Sequence, residues 1–159
     1  MTTAPQANSS PERQELSLND AASHVLEECR TVVPGMQALF GFQLIVVFTN
    51  SFKEELSPTE RVLHLVAILL VTIAIALVIA PAALHRQMEP MAVSRRFIAI
   101  SSRLLMASMA PLAAGICLDV YIVARVILGT SVGAAIIAAL LLGVFIVFWL
   151  VVPRRARRP

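Results

Sequence analysis

Between Arg61 and Arg86 the chain carries no formal charge, and from Val62 to Leu84 only His64, Thr72 and Pro81 interrupt a run of apolar side chains. Such a run constrains the fold before anything else is known. A helix that crosses a bilayer needs about 20 predominantly apolar residues. Inside hydrocarbon every backbone N–H and C=O must find its partner within the protein, which leaves helices and closed barrels as the spanning structures. A barrel strand needs only about 10 residues, so this run has the length of a helix. Three more windows qualify: Val32–Phe48, Leu104–Val123 and Val132–Val152. Charged residues make up 14 % of the 159-residue chain and hydrophobic ones 58 %, with a mean hydropathy of +0.81. Soluble domains carry about a quarter charged residues.

The expected architecture is all-α: a polytopic membrane protein with four transmembrane helices, preceded by an amphipathic N-terminal helix. The segments are a disordered tail over 1–16, the amphipathic helix over 17–31, spans near 32–50, 62–84, 98–123 and 130–152, and a basic tail over 153–159. The first thirty residues are too polar for a secretory signal peptide, so the first span is expected to act as an uncleaved anchor.

Four antiparallel spans put both termini and the second connection on one side. That side collects 10 arginines (Arg13, Arg30, Arg86, Arg95, Arg96, Arg103, Arg154, Arg155, Arg157, Arg158), and the other side holds only Lys53, Arg61 and Arg125. Positive charge gathers on the cytoplasmic side of membrane proteins, so both ends are expected in the cytoplasm. The net charge of +3 therefore reads as a topology signal rather than a nucleic-acid interface. The terminal PRRARRP is expected to meet anionic lipid headgroups. Cys29 and Cys117 fall at opposite ends of the membrane and cannot bridge within one chain. Two lone cysteines build no structural zinc site, and no metal or other cofactor is expected.

The segment Ser17–Thr31 has a helical apolar period at Leu18, Ala21, Ala22, Val25, Leu26 and Cys29, with Ser17 and Asp20 resembling a capping box. Its other face is acidic, unlike the cationic face of most interfacial helices. Either it docks on the basic inner loop, through a network of Glu28, Arg30, His85, Arg86 and Arg103, or it continues the first span as a solvated helix. Pro34 and Gly35 mark a bend between the two, because proline lacks the amide hydrogen that a helix interior uses. Ser57-Pro58-Thr59-Glu60 reads as a helix start, and Pro153 as the end of the fourth helix.

Polar residues at membrane depth are the candidates for chemistry. Gln37 and Gln43 lie about 120° apart around a helix. An unpaired amide in hydrocarbon costs several kcal/mol, so each is expected to meet protein, with Gln37 bonding a neighbouring helix near the inner surface. Asp119 is the one acid inside a span, and an ionisable group there is a functional candidate. His64 lies at similar depth, as do Thr49, Asn50, Tyr121 and Ser131. An Asp–His pair in a half-dry site can pass protons. The structural alternative pairs Asp119 with Arg125 or His64 simply to fix helix ends. Ser131, Ala134, Ala135 and Ala138 form a face of small residues, which lets helices approach closely in lipid, within the chain or in a homodimer. No metal-ligand spacing, phosphate loop or nucleophile elbow occurs, so no catalytic residue is assigned and no enzyme is expected.

The spacing E-x-R-x-x-x-P-G-x-Q-x-L-F-x-F from Glu28 to Phe42, R-x-x-H from Arg61 to His64, and A-P-A-A-x-H-R from Ala80 to Arg86 resemble an uncharacterised family of small bacterial membrane proteins, a domain of unknown function. The resemblance covers about Leu18 to Val152. It implies a four-helix protein of a prokaryotic plasma membrane and carries no activity. Two functions follow as expectations. One is a non-enzymatic accessory, scaffold or regulatory membrane component, partnered by the bilayer and by a homodimer mate or another membrane protein. The other is a small oligomeric proton- or cation-coupled transporter of the sodium/proton exchange type, using Asp119 and His64.

Overall fold

The computed structural model describes residues 18–88 and 94–156. The expected tail over 1–16, the capping role of Ser17, and Arg13, Arg157 and Arg158 lie outside the described residues. The chain forms α1 (Leu18–Val46), α2 (Asn50–Glu55), α3 (Pro58–Met88), α4 (Arg95–Leu128) and α5 (Ser131–Ile146). A π-helical turn over Val147–Val151 then leads into α6 (Val152–Ala156). No strand occurs among the described residues. Four stretches are long and apolar enough to cross a membrane: Asp20–Val46, Pro58–Gln87, Arg95–Leu128 and Ser131–Ala156.

A seven-residue repeat holds the first three of these together. α1 buries Ala22, Cys29, Met36 and Gln43, one side chain every seventh residue. α3 buries Glu60, His64, Ala67, Val71, Ala74, Val78 and Pro81, at alternating spacings of four and three. α4 answers with Ser101, Ser108, Gly115 and Ile122, again seven apart. A repeat averaging 3.5 residues keeps one seam of a slightly underwound helix against its neighbour, the geometry of left-handed bundles. The seam is made of small side chains because lipid gives helices no hydrophobic drive to associate, and close backbone approach supplies the attraction instead. The closest approach is at Gly115, where a Cβ would stand 2.9 Å from Val71 Cγ2 and 3.2 Å from the Ala67 carbonyl oxygen. Cys29, Met36, Ala74 and Val78 form a core at the other end of the seam.

α4 is the central helix, touching α1 and α3 on one side and α5 on the other. The turn between α4 and α5 is two residues long. Gly129 adopts a positive φ of 67° there and its N–H donates to the Arg125 carbonyl, closing α4. α5 leans on α4 with Ala134 fully buried and Ala138 half-buried, while Ser131 and Ala135 are exposed. The small-residue face is therefore narrower than expected. Its inward part continues through Phe145 and Trp149, whose rings sit 4.7 Å apart.

Two prolines behave differently from expectation. α1 runs unbroken through Pro34, so the amphipathic segment and the first span are one helix of 29 residues rather than two separate ones. The heptad seam explains this. Cys29 and Met36 flank Pro34, and both keep their places against the core only if the helix continues. Tertiary packing outweighs the local cost of one missing hydrogen bond, as prolines in membrane helices commonly allow. Pro153 does not stop the fourth helix either. The Val152 N–H reaches back to the Val147 carbonyl, five residues away, and α6 resumes from there. A π-turn widens the helix by one residue, and such turns frequently accommodate local irregularity.

The start over Ser57-Pro58-Thr59-Glu60 forms as the sequence suggests. The Ser57 N–H donates to Glu60 Oε2 at 2.8 Å and the Glu60 N–H lies 3.4 Å from Ser57 Oγ, a reciprocal capping box with proline in the first helical position. Ser94 caps α4 with its side chain, accepting from the Phe97 N–H at 3.1 Å.

Candidate functional site

The last turn of α1, the second turn of α3 and the last third of α4 meet at one end of the bundle. Each contributes a single polar side chain. Gln43 donates from Nε2 to Asp119 Oδ2 at 2.6 Å. His64 Nδ1 lies 3.2 Å from Asp119 Oδ1. His64 Nε2 lies 3.0 Å from the backbone carbonyl oxygen of Gln43. The three residues thus close a ring across three helices. Gln43 and His64 are buried, and the Asp119 side chain keeps 18 % of its surface exposed.

The hydrogen bookkeeping of this ring is restrictive. Both nitrogens of His64 face oxygen acceptors, and a neutral imidazole has only one N–H to give. Two arrangements satisfy both contacts. In one, an imidazolium donates to both the Asp119 carboxylate and the Gln43 carbonyl. In the other, a protonated Asp119 donates to Nδ1 while Nε2–H donates to Gln43. Each contains the same single titratable proton. Removing it leaves one imidazole nitrogen facing an oxygen with no hydrogen between them.

The end of the bundle above this ring is covered. Phe52 of α2 packs edge-on against the His64 ring with centroids 5.4 Å apart. Leu56, just after α2, is buried beside it. α2 is held in place by two arginines. Arg125 of α4 makes a two-pronged ion pair with Glu60 and donates a further bond to the Glu55 carbonyl. Arg61 reaches the Leu56 and Lys53 carbonyls. To the side, between α1 and α4, a groove of about 210 Å³ opens next to the ring. Gln43, His64 and Asp119 line it together with apolar walls that include Leu39, Phe42 and Val123.

The remaining candidates are placed as follows. Gln37 is exposed on α1 and makes no hydrogen bond to another helix, contrary to expectation, because it stands one position after Met36 and so points off the seam. Thr49 bonds the Val46 carbonyl at 2.7 Å and takes no part in the ring. Arg125 does not pair with Asp119, since Glu60 takes it. At the opposite end, Arg30, His85 and Arg86 line one groove between α1 and α3. The His85 ring stands 5.5 Å from Phe97. Glu28 faces a different groove, toward Ser102 of α4. Glu28, Arg30 and Arg103 are exposed, and no ion pair joins them to one another or to Arg86 among the described residues. The expected network at this end is a set of separate side chains there. Cys29 and Cys117 are both free.

With this geometry in place, comparison with known families finds a match. The model of a family of unknown function, DUF6328, covers residues 11–153. The chain belongs to this family. Among curated proteins and solved structures, none matches it. DUF6328 brings no activity with it, so any functional assignment must come from the site itself. Of the motif residues that carry the resemblance in the sequence, His64 stands in the ring, while Arg30, His85 and Arg86 share the groove at the far end.

Sequence reasoning missed Glu60 as the partner of Arg125 and Gln43 as the acceptor for His64. Both were findable. Gln43 continues the heptad of Ala22, Cys29 and Met36, and Glu60 begins the heptad that runs through His64, Ala67 and Val71.

Proposed function

We propose that this chain is an integral membrane protein that exchanges protons for a cation, with Asp119 and His64 as its proton-carrying centre. The observation that supports this most is the ring itself. An acid and an imidazole meet at the junction of three spanning helices, and without a proton on the pair one imidazole nitrogen loses its hydrogen bond, either to α1 or to α4. Proton binding is thereby tied to how α1 sits against α3 and α4.

The basic residues gathered at the far end favour a plasma-membrane protein with both termini in the cytoplasm and anionic lipid at its tail. The reading as an accessory or scaffold component has one observation in its favour. α5 packs on α4 and leaves Val132, Ile136 and Leu140 exposed, a surface on which a second copy or another membrane protein would fit.

The test is proton movement in liposomes holding the purified protein and a trapped pH-sensitive dye, under imposed gradients of pH, sodium and organic cations. Wild-type protein is expected to move protons, Asp119→Asn to lose the activity and His64→Gln to reduce it. Folded, inserted protein that moves no protons under any of these gradients would sink the proposal.

A further inference from the structure

The groove beside the ring says what kind of cation such a protein would take. Two of the residues that line it carry acceptors. One is the Asp119 carboxylate. The other is Gln43 Oε1, which is buried without any hydrogen-bond partner although its residue is only 3 % exposed. A buried acceptor without a donor has lost its water and gained nothing in return, so such an atom marks a place where a donor belongs. The amide's other end is already given to Asp119. The walls beyond are hydrocarbon: Leu39, Val46, Ile122 and Val123, with the face of Phe42 at the mouth. Phe42 is 69 % exposed and its neighbours Ile45 and Val123 are more than half exposed, so in a bilayer the mouth faces lipid.

We propose that this groove binds a protonated amine with an apolar body, its ammonium N–H groups donating to Asp119 and Gln43 Oε1 and its body lying along Phe42 and Leu39. A bare metal ion would find two oxygen-bearing side chains and then hydrocarbon, a poor replacement for its water shell. An organic ammonium needs few oxygens, and its apolar part is stabilised by the walls. Phe42 adds the attraction of an aromatic face for a cation. The exchange balances in charge. A site holding one proton on the Asp119–His64 pair takes up the ammonium and releases that proton, leaving an aspartate carboxylate, a neutral imidazole and the bound cation.

This proposal rests on the proton-exchange reading but is tested apart from it, by equilibrium binding with no gradient. Calorimetry would follow phenethylammonium binding to the full chain in detergent. The N-trimethyl analogue and sodium ions would be the comparators. Saturable binding is expected, weakened at least tenfold in Asp119→Asn. Phe42→Ala, a change at an exposed position that leaves the fold intact, is expected to weaken it several-fold. Phe48→Ala, at a still more exposed position that does not line the groove, should have no effect. The trimethyl analogue, which has no N–H for Gln43 Oε1, should bind about tenfold more weakly. Binding unchanged in both Asp119→Asn and Phe42→Ala, or full displacement by an equal concentration of sodium, would overturn the proposal. Proton movement driven by sodium alone, with no phenethylammonium binding, would keep the exchange and discard this cargo.

Discussion

Replacing Gly115 by alanine puts one methyl group into the tightest point of the α3–α4 seam. The added Cβ would lie 2.9 Å from Val71 Cγ2 and 3.2 Å from the Ala67 carbonyl oxygen. Carbon atoms in good contact stand about 3.5–4.0 Å apart, so the helices must part by roughly 0.5 Å. Val71 is β-branched and fully buried, and the Ala67 oxygen is backbone, so neither can simply rotate away. Overpacking of this kind costs about 1–3 kcal/mol. Alanine also gains up to about 1 kcal/mol over glycine in a helix interior, which blurs a single measurement. Gly143→Ala removes that ambiguity, because a Cβ there meets nothing within 4 Å. The difference between the two variants isolates the packing term, and Gly115→Ala should be the less stable by about 1–3 kcal/mol. Reversible unfolding by dodecyl sulfate in mixed micelles, followed by far-UV circular dichroism, measures it. Gly115 is one helical turn from Asp119, and Ala67 is one turn from His64. The same parting would stretch the 3.2 Å contact between His64 and Asp119, so proton movement should fall as well. A Gly115→Ala protein at least as stable as Gly143→Ala would refute the close seam.

The two glutamines should separate cleanly. Gln37→Leu is expected to leave stability within about 0.5 kcal/mol of wild type, as for other exposed positions. Gln43→Leu should cost about 1–3 kcal/mol by removing the donor to Asp119, read in the same unfolding assay. Arg125→Gln and Glu60→Gln should each destabilise by about 1–2 kcal/mol, held to that by the partial exposure of Arg125. Their double mutant should fall short of additivity by more than about 0.5 kcal/mol, and strict additivity would mean the pair is not coupled. Either single change should also speed protease cleavage within α2, which the pair holds over His64.

The four spans were legible because apolar length alone forces them, and the start of α3 because a capping box is a local device. The meeting of His64 with Asp119 was legible from depth, since one acid and one histidine stand at matching distances from their helix ends. Pro34 misled because its cost is local while the register of Cys29 and Met36 is set by α3, which no window of α1 contains. Gln37 misled for a related reason. Membrane depth alone does not set a side chain's partner, and one residue of rotation from Met36 carries Gln37 off the seam. The partner of Arg125 depended on helix rotation: six residues after Asp119 it stands about 240° around α4, and across the seam it meets Glu60. The basic end misled differently. Opposite charges on one side of a membrane do not pair unless the helices turn them toward each other, and Glu28 faces a different groove from Arg30 and Arg86.

The central claim is that Asp119 and His64 share a proton that comes and goes. Infrared difference spectroscopy of the protein in lipid, stepped in pH, reads it most directly, since a carboxyl C=O stretch appears only while an acid is protonated. The account predicts a reversible carboxyl band that vanishes in Asp119→Asn and shifts in frequency and midpoint in His64→Gln. A folded protein whose pH-difference spectrum is identical with and without the Asp119 carboxyl would contradict it.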